Sequence, residues 1–369
     1  MFRILHVIDS LDAGGAETLV AGLVPRLRAL GAAADLFLLQ GQGTSLERLT
    51  EDHGVSVFRG SGSIYSPGQI RHLAQHLSRV RYDIIHVHLF PAQLWSCIAA
   101  RFVAAPGCLV TTEHSTSNRR RKLQTFRFLD RWMYSHYRAI VCNSEASARS
   151  LVEWVGGAGE RTRVIYNGID LALFAGKSRL DKQRLLGTSG PVILCTASLS
   201  EKKDHATLLR AVALVGGVHV MLAGSGPLAG KLRELSRRLG ILERVHFLGT
   251  RDDIPDILGI ADIYVQPSIH EGFGIAVLEA MAAGIPVVAS AIPGLSEVTG
   301  SAALQFQVGN ERELAQCLMR LLAEAGLRSE LSFQGRLRAA KFSIDETVRR
   351  HLSLYETMLQ GPRQRAAVD

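Results

Sequence analysis

The chain has 369 residues, 47% of them hydrophobic and 21% charged, which excludes a disordered or fibrous protein and suffices for two domains of ordinary size. Its formal charge of +8 favours an anionic partner: a nucleotide, a nucleic acid or an acidic membrane surface. The five cysteines, Cys97, Cys108, Cys142, Cys195 and Cys317, lie scattered without a Cys-x-x-Cys pair, a pattern of buried free thiols in a reducing compartment and not of a zinc cluster.

The opening run Phe2-Arg3-Ile4-Leu5-His6-Val7-Ile8 is short, apolar and closed by Asp9 and Ser10, which predicts a first strand at Ile4 to Ile8 and not a signal peptide. Further strands are predicted at Asp35 to Leu39, Ile84 to His88, Leu109 to Glu113, Ala139 to Asn143 and Arg163 to Tyr166. A second set falls at Val192 to Thr196, His219 to Ala223, Val245 to Leu248, Ile263 to Gln266 and Val287 to Ala289. Amphipathic stretches separate these β-branched runs, the pattern of parallel sheets with crossover helices. The fold class expected is therefore α/β, with two Rossmann-like doubly wound domains facing across a cleft. The polar segment between Asp170 and Gly190 sets the domains at 1–175 and 190–345, with 346–369 a C-terminal helix that packs back across the hinge, followed by a tail. The longest apolar candidate, Ala276 to Ala291, contains Glu279 and Pro286 and falls short of the ~20 apolar residues of a membrane span, so a cytoplasmic protein is expected.

Ligands of open α/β sheets collect at the carboxyl ends of the strands, and five strand ends carry chemistry here. After the first strand comes Asp12-Ala13-Gly14-Gly15-Ala16-Glu17, where paired glycines let backbone N–H groups approach a ligand, or simply make a tight turn into a helix. The runs Ile85-His86-Val87-His88 and Thr111-Thr112-Glu113-His114 place imidazoles and a carboxylate on one predicted edge, suited to sugar hydroxyls or equally to structural hydrogen bonds. Next, Arg119-Arg120-Arg121-Lys122 precedes a stretch with apolar residues at helical spacing. Either these arginines face an anionic membrane, or the helix buries Phe126, Leu129 and Met133 and turns its arginines to water. No nucleic-acid module accompanies the charge.

The second set of strands holds the more specific signal. Ala197-Ser198-Leu199-Ser200-Glu201-Lys202-Lys203 puts lysines in a strand-to-helix loop, where an ammonium can neutralise a departing diphosphate or remain in solvent. Glu271 lies in the Gly-rich loop His270-Glu271-Gly272-Phe273-Gly274, and Glu279 interrupts the apolar helix that follows from Ile275. That helix's N-terminus offers unpaired amides and a positive dipole end to a diphosphate, while a carboxylate a turn further on can accept from a ribose diol. A buried Glu279 needs a hydrogen-bond partner, which is a ligand or another side chain.

Together these residues resemble the retaining, GT-B-fold glycosyltransferases of family 4. The likeness extends through Asn143-Ser144-Glu145, Asn167-Gly168-Ile169-Asp170, Gly284-Ile285-Pro286-Val287-Val288 and Gly294-Leu295-Ser296-Glu297-Val298. It implies a C-terminal domain that binds a nucleotide sugar, an N-terminal domain that binds the acceptor, and no metal or other cofactor. Residue by residue, it implies that Glu279 holds the ribose, Glu271 the donor sugar or its oxocarbenium-like transition state, and Lys203 the diphosphate. Backbone at Gly15, Phe273, Gly274 and Ile275 would meet the phosphates, and Gly14, His88 and His114 the transferred sugar or acceptor. One position departs from the family: Ser198 stands where an arginine is usual, and a serine cannot grip phosphate bidentately. Lys202 is the expected compensation.

The function expected is hexose transfer from a UDP- or GDP-sugar to a glycan or polyprenyl-diphosphate-linked acceptor in cell-surface polysaccharide synthesis. It would take place in the cytoplasm or peripherally on the inner membrane, held there through Arg119, Arg120, Arg121 and Lys122. A sugar-nucleotide epimerase of the same architecture and a non-catalytic partner subunit are the competing readings.

Overall fold

A computed structural model describes residues 2–12, 14–116, 119–176 and 178–360. The chain divides into two compact units, one of residues 1–168 and 344–369, the other of residues 169–343. No helix among the described residues is long and apolar enough to cross a membrane.

The first unit is built on β1 (Arg3–Ile8), α1 (Gly15–Ala29), β2 (Ala33–Leu38), α2 (Ser45–Asp52), β3 (Val57–Arg59), α3 (Gly68–Arg79), β4 (Ile84–His88), α4 (Ala92–Ala100) and β5 (Cys108–Glu113). It continues through α5 (Thr125–Ser135), β6 (Ala139–Cys142), α6 (Glu145–Val155) and β7 (Thr162–Val164). Its strands form one parallel sheet in the order β3-β2-β1-β4-β5-β6-β7. Strands β1 and β4 sit at its centre and are buried on both faces from Ile4 and from Ile84 onward, which is why they read as continuous apolar runs. The sequence does not predict β3, because its three residues are half-buried or exposed at the sheet's edge.

The second unit follows with α7 (Lys182–Leu186), β8 (Val192–Thr196), α8 (His205–Leu214), β9 (His219–Ala223), α9 (Ala229–Arg238), β10 (Val245–Gly249), α10 (Ile254–Leu258) and β11 (Ile263–Gln266). After these come α11 (Ile275–Ala282), β12 (Val287–Ser290), α12 (Pro293–Thr299), β13 (Leu304–Phe306), α13 (Glu311–Ala323) and α14 (Ala325–Ala339). The strand order β10-β9-β8-β11-β12-β13 is again that of a doubly wound parallel sheet. Here too a three-residue edge strand, β13, escapes the sequence pattern.

Both unit limits differ from those expected. The segment after Asp170 is not a free linker, because its charges find partners on the second unit. Arg179 is bidentate on Asp256 at 2.8 and 3.1 Å, and Lys182 reaches Asp262 at 2.6 Å. At the other end the chain returns to the first unit as α15 (Ile344–Gln360). That helix packs along α1, with Thr347 donating to the Tyr166 carbonyl at 2.9 Å and Tyr355 fully buried against Phe2.

Candidate functional site

At the carboxyl edge of the second sheet, two loops are laced together. The turn at Glu201–Lys203 ends on Asp204, whose left-handed backbone (φ 43°) reverses the chain and whose carboxylate caps α8 through Thr207. The Lys202 carbonyl accepts from the Ile269 and His270 amides at 2.8 and 3.4 Å, tying this turn to the Gly-rich loop after β11. Across that junction Lys203 and Glu271 form an ion pair, both side chains largely shielded. Beneath Glu271, Ser268 donates to its carboxylate at 3.3 Å, Gln266 to Ser268 at 2.8 Å and Tyr264 to Gln266 at 2.7 Å. Polar residues at every second position from Tyr264 to Ser268 are the sequence signal of this supporting column.

The loop then enters α11 through Gly274, at φ 99°. A side chain there is excluded both by conformation and by space, since a Cβ would lie 2.6 Å from Leu295 Cδ2. Gly294 matters likewise, because a Cβ there would come within 2.3 Å of the Glu271 carbonyl oxygen. Phe273 is buried edge-to-face on Phe342, so only its backbone can serve a ligand. On α11 itself, Val277, Leu278, Ala280 and Met281 are buried, and Ile275, Ala276 and Glu279 form the half-exposed face. The first amides of that helix and the Glu279 carboxylate therefore share one surface. Glu279 has no side-chain partner among the described residues, and burial lifts its carboxyl from 4.5 to about 7. The partner that the sequence demanded is not supplied by the described residues.

Ser198 is exposed, and among the described residues its hydroxyl meets only that of Ser200, at 3.2 Å. The Lys202 side chain is exposed nearby in sequence. His205, the first residue of α8, escapes the sequence reading. It is 1% exposed with both ring nitrogens unpartnered among the described residues, and burial, reinforced by Lys203, lowers it to about 4.

The first unit holds the remaining candidates. Gly14 caps α1 in extended backbone, its carbonyl accepting from Thr18 at 2.9 Å, and Gly15 is exposed at the helix start. Two carboxyls flank this loop: Asp9, which burial raises to about 7, and Glu17, which burial also raises. His114 lies half-buried just past β5, its carbonyl held by Asn143 at 3.2 Å, and Asn143 precedes the Ser144–Ser147 capping box of α6. His88 requires a correction. It is fully buried with both ring nitrogens engaged, by His6 at 3.0 Å and by His114 at 3.2 Å, so it stands behind His114 and does not touch a ligand itself. His6, His351 and Tyr355 join the same cluster unforeseen, brought there by strand register and by the returning α15.

The basic segment also departs from expectation. Arg120 turns inward onto Asp130 at 3.0 Å and over the Phe90 ring, and Arg121 onto Ser150, Thr116 and Glu113, leaving them 11% and 9% exposed. The side chains of Arg119 and Lys122 lie outside the described residues. What the surface presents here is apolar: Leu123, Phe128 and Trp132 are 57%, 76% and 38% exposed, while Met133 is buried and Phe126 and Leu129 are half-buried.

Comparison with known proteins identifies the family and the fold. Residues 13–173 match the family described as Glycosyltransferase Family 4, and residues 177–338 match Glycosyl transferases group 1. EpsF of Bacillus subtilis, provisionally named a glycosyltransferase, is 28% identical over 309 residues, covering 78% of this chain and 79% of EpsF. The D-inositol 3-phosphate glycosyltransferase of Corynebacterium urealyticum is 25% identical over a 396-residue alignment that covers 96% of this chain and 93% of that enzyme. Among solved structures, Anabaena HepE in complex with UDP and glucose superposes with a TM-score of 0.86 at 24% identity, covering 97% of this chain and 100% of HepE, a likeness of fold. With one family matched in each half and the two-sheet GT-B architecture along the whole length, the chain belongs to the glycosyltransferases of the group 1, family 4 type.

Proposed function

We propose that this glycosyltransferase moves a hexose from a UDP- or GDP-sugar to a glycan or lipid-linked acceptor with retention of anomeric configuration and without a metal. The observation that carries the reading is the Glu279 carboxylate, without a side-chain partner among the described residues, on the same face as the first amides of α11, beside the Lys203–Glu271 pair. That face offers a carboxylate for a ribose diol and N–H dipoles for a diphosphate, with a lysine close by to take up charge. HepE, which shares the fold, is solved with UDP and with UDP-glucose, and this supports a nucleotide sugar as donor.

As the glycosidic bond to the diphosphate breaks, charge develops on the leaving oxygen, where Lys203 and the α11 amides stabilise it most. Glu271, held by Ser268 from below, meets the electron-poor sugar. The departing phosphate takes the proton of the acceptor hydroxyl on the face it leaves, so retention needs no second protein carboxylate as nucleophile, unlike most retaining glycosidases. Lys202 adds charge that Ser198 cannot.

A thermal-shift series with UDP, GDP, ADP and their sugar conjugates tests the donor. A nucleotide at a hundred times its Kd adds about 2.7 kcal/mol, and one base should stand out. Acceptor-dependent release of nucleoside diphosphate identifies the transferase; sugar-nucleotide conversion without acceptor would make it an epimerase, and neither reaction a non-catalytic subunit.

Membrane association, in this reading, runs through the exposed Leu123, Phe128 and Trp132, with the exposed Arg131 of α5 meeting anionic headgroups. Phe128→Asp should abolish co-sedimentation with vesicles containing anionic lipid while leaving the melting temperature near wild type, since Phe128 is 76% exposed. Undiminished sedimentation of the variant would dispose of this surface.

A further inference from the structure

Strand β11 and the loop after it carry a line of polar side chains shut away from water. Ile263 and Val265 turn to the hydrophobic core of the second unit, and the alternate residues Tyr264, Gln266 and Ser268 turn the other way, all three at most 2% exposed. An amide and two hydroxyls buried there cost stability unless each finds partners, and apolar side chains would fill the same space without that cost.

One end of the line sets the order of its protons. Glu271, paired with Lys203, is a carboxylate and can only accept. The Ser268 hydroxyl therefore spends its single proton on Glu271 Oε2, at 3.3 Å, and offers Gln266 a lone pair. Facing that lone pair, the Gln266 amide presents Nε2–H at 2.8 Å and turns Oε1 to Tyr264, whose hydroxyl donates at 2.7 Å. The flipped amide would set oxygen against oxygen at Ser268. Tyr264 remains a donor because burial, with Cys195, Glu279 and Glu271 adding to it, holds its phenol well above the ordinary value.

The backbone around the line is pinned as well. Ser290 of β12 donates to the Ser268 carbonyl at 2.5 Å, and the Lys202 carbonyl accepts from the Ile269 amide one residue on. The Lys203 ammonium and the Ser268 hydroxyl meet the same oxygen of Glu271, so the carboxylate is gripped from two sides while the rest of its side chain stays half-buried at the surface of the unit. Resting on the reading of Glu271 as the group that meets the donor sugar, we propose that Gln266 and Ser268 are positioning residues: with Tyr264 they form a line of donors, all pointing one way, that fixes the Glu271 carboxylate for the transfer step.

The test is steady-state kinetics on Ser268→Ala and Gln266→Leu, each in the wild-type and in the Glu271→Ala background, beside calorimetric binding of UDP, or of GDP where the thermal-shift series selects it. In the wild-type background each change should lower kcat about tenfold, the worth of one hydrogen bond to a charged group, with donor KM and nucleoside diphosphate affinity near wild type. In the Glu271→Ala background neither should cost anything further, because the line then has no carboxylate to hold. A merely structural role would repeat the same loss in both backgrounds and weaken nucleotide binding with it. Either of those results, or wild-type kcat in folded Ser268→Ala, would overturn the proposal. Should Gln266→Leu fail to fold, Ser268→Ala, which removes a single oxygen, decides alone. Wild-type activity in Glu271→Ala would instead sink the reading of Glu271 as a sugar contact, whatever the other variants do.

Discussion

Replacing Lys203 with alanine is expected to lower kcat/KM by about 10²- to 10³-fold, the usual cost of losing one group that stabilises developing transition-state charge. Two effects add. Under the proposed function the leaving diphosphate loses its ammonium, and Glu271 loses an ion-pair partner that would orient it toward the sugar, while Ser268 still donates to its carboxylate. Glu271→Gln should approach the same loss by a different route, since its amide keeps the shape but not the charge that faces an oxocarbenium-like centre. The double variant should then cost much less than the product of the singles, because the two residues act as a unit. Lys202→Ala, on an exposed side chain, should raise KM for the donor several-fold and leave kcat nearly unchanged. Steady-state kinetics on all four, with circular dichroism to verify folding, decides the matter. Additive losses for Lys203 and Glu271 would mean that the two residues act independently and that the ion pair is not the unit that does the work.

The residues that make this prediction possible were visible in the sequence because parallel sheets advertise themselves. Strands β8 and β11 are buried on both faces, so their apolar runs stand out, and the loops that carry Lys203 and Glu271 fall where those runs end. Glu279 was visible for the opposite reason, as the one charge in an apolar helix. Other features were hidden because they depend on partners distant in the chain. His88 looked like a ligand contact, since neither the His6 register nor the closure by His114 can be read from a single strand. Arg120 and Arg121 looked like a membrane surface, since Asp130 and Glu113 are recognised as their counter-charges only once α5 and β5 are placed. The polar segment after Asp170 looked like a linker until Asp256 and Asp262 came opposite its cations. In each case a polar group was legible and its partner was not. Periodicity reports which face is buried, and says nothing of which polar group will meet which.

The largest effect on binding should come from Glu279, and it should depend on pH. In the free protein burial holds this carboxyl at about 7, so below that pH most molecules carry it protonated. A ribose diol donates two hydrogen bonds only to the ionised form in full, so nucleotide binding must lower the pKa and release a proton. Donor affinity should therefore improve by up to tenfold per pH unit as the pH rises toward 7 and level off above it. Stability of the free protein runs the other way. Between 4.5 and 7 the folded state binds the proton more tightly than the unfolded chain, so this residue's contribution falls as pH rises through that window, and bound nucleotide restores it. The gain in melting temperature from a saturating nucleotide should accordingly be larger at pH 8 than at pH 6. Glu279→Gln should bind about tenfold to a hundredfold more weakly at pH 8, the worth of one or two hydrogen bonds to a charged group, and should lose the pH dependence altogether. Calorimetry in two buffers of different ionisation enthalpy counts the proton directly. A binding constant that is flat from pH 6 to pH 8 in the wild type would mean that Glu279 meets the nucleotide uncharged or does not meet it at all, and the donor would have to be held by the α11 amides and Lys203 alone.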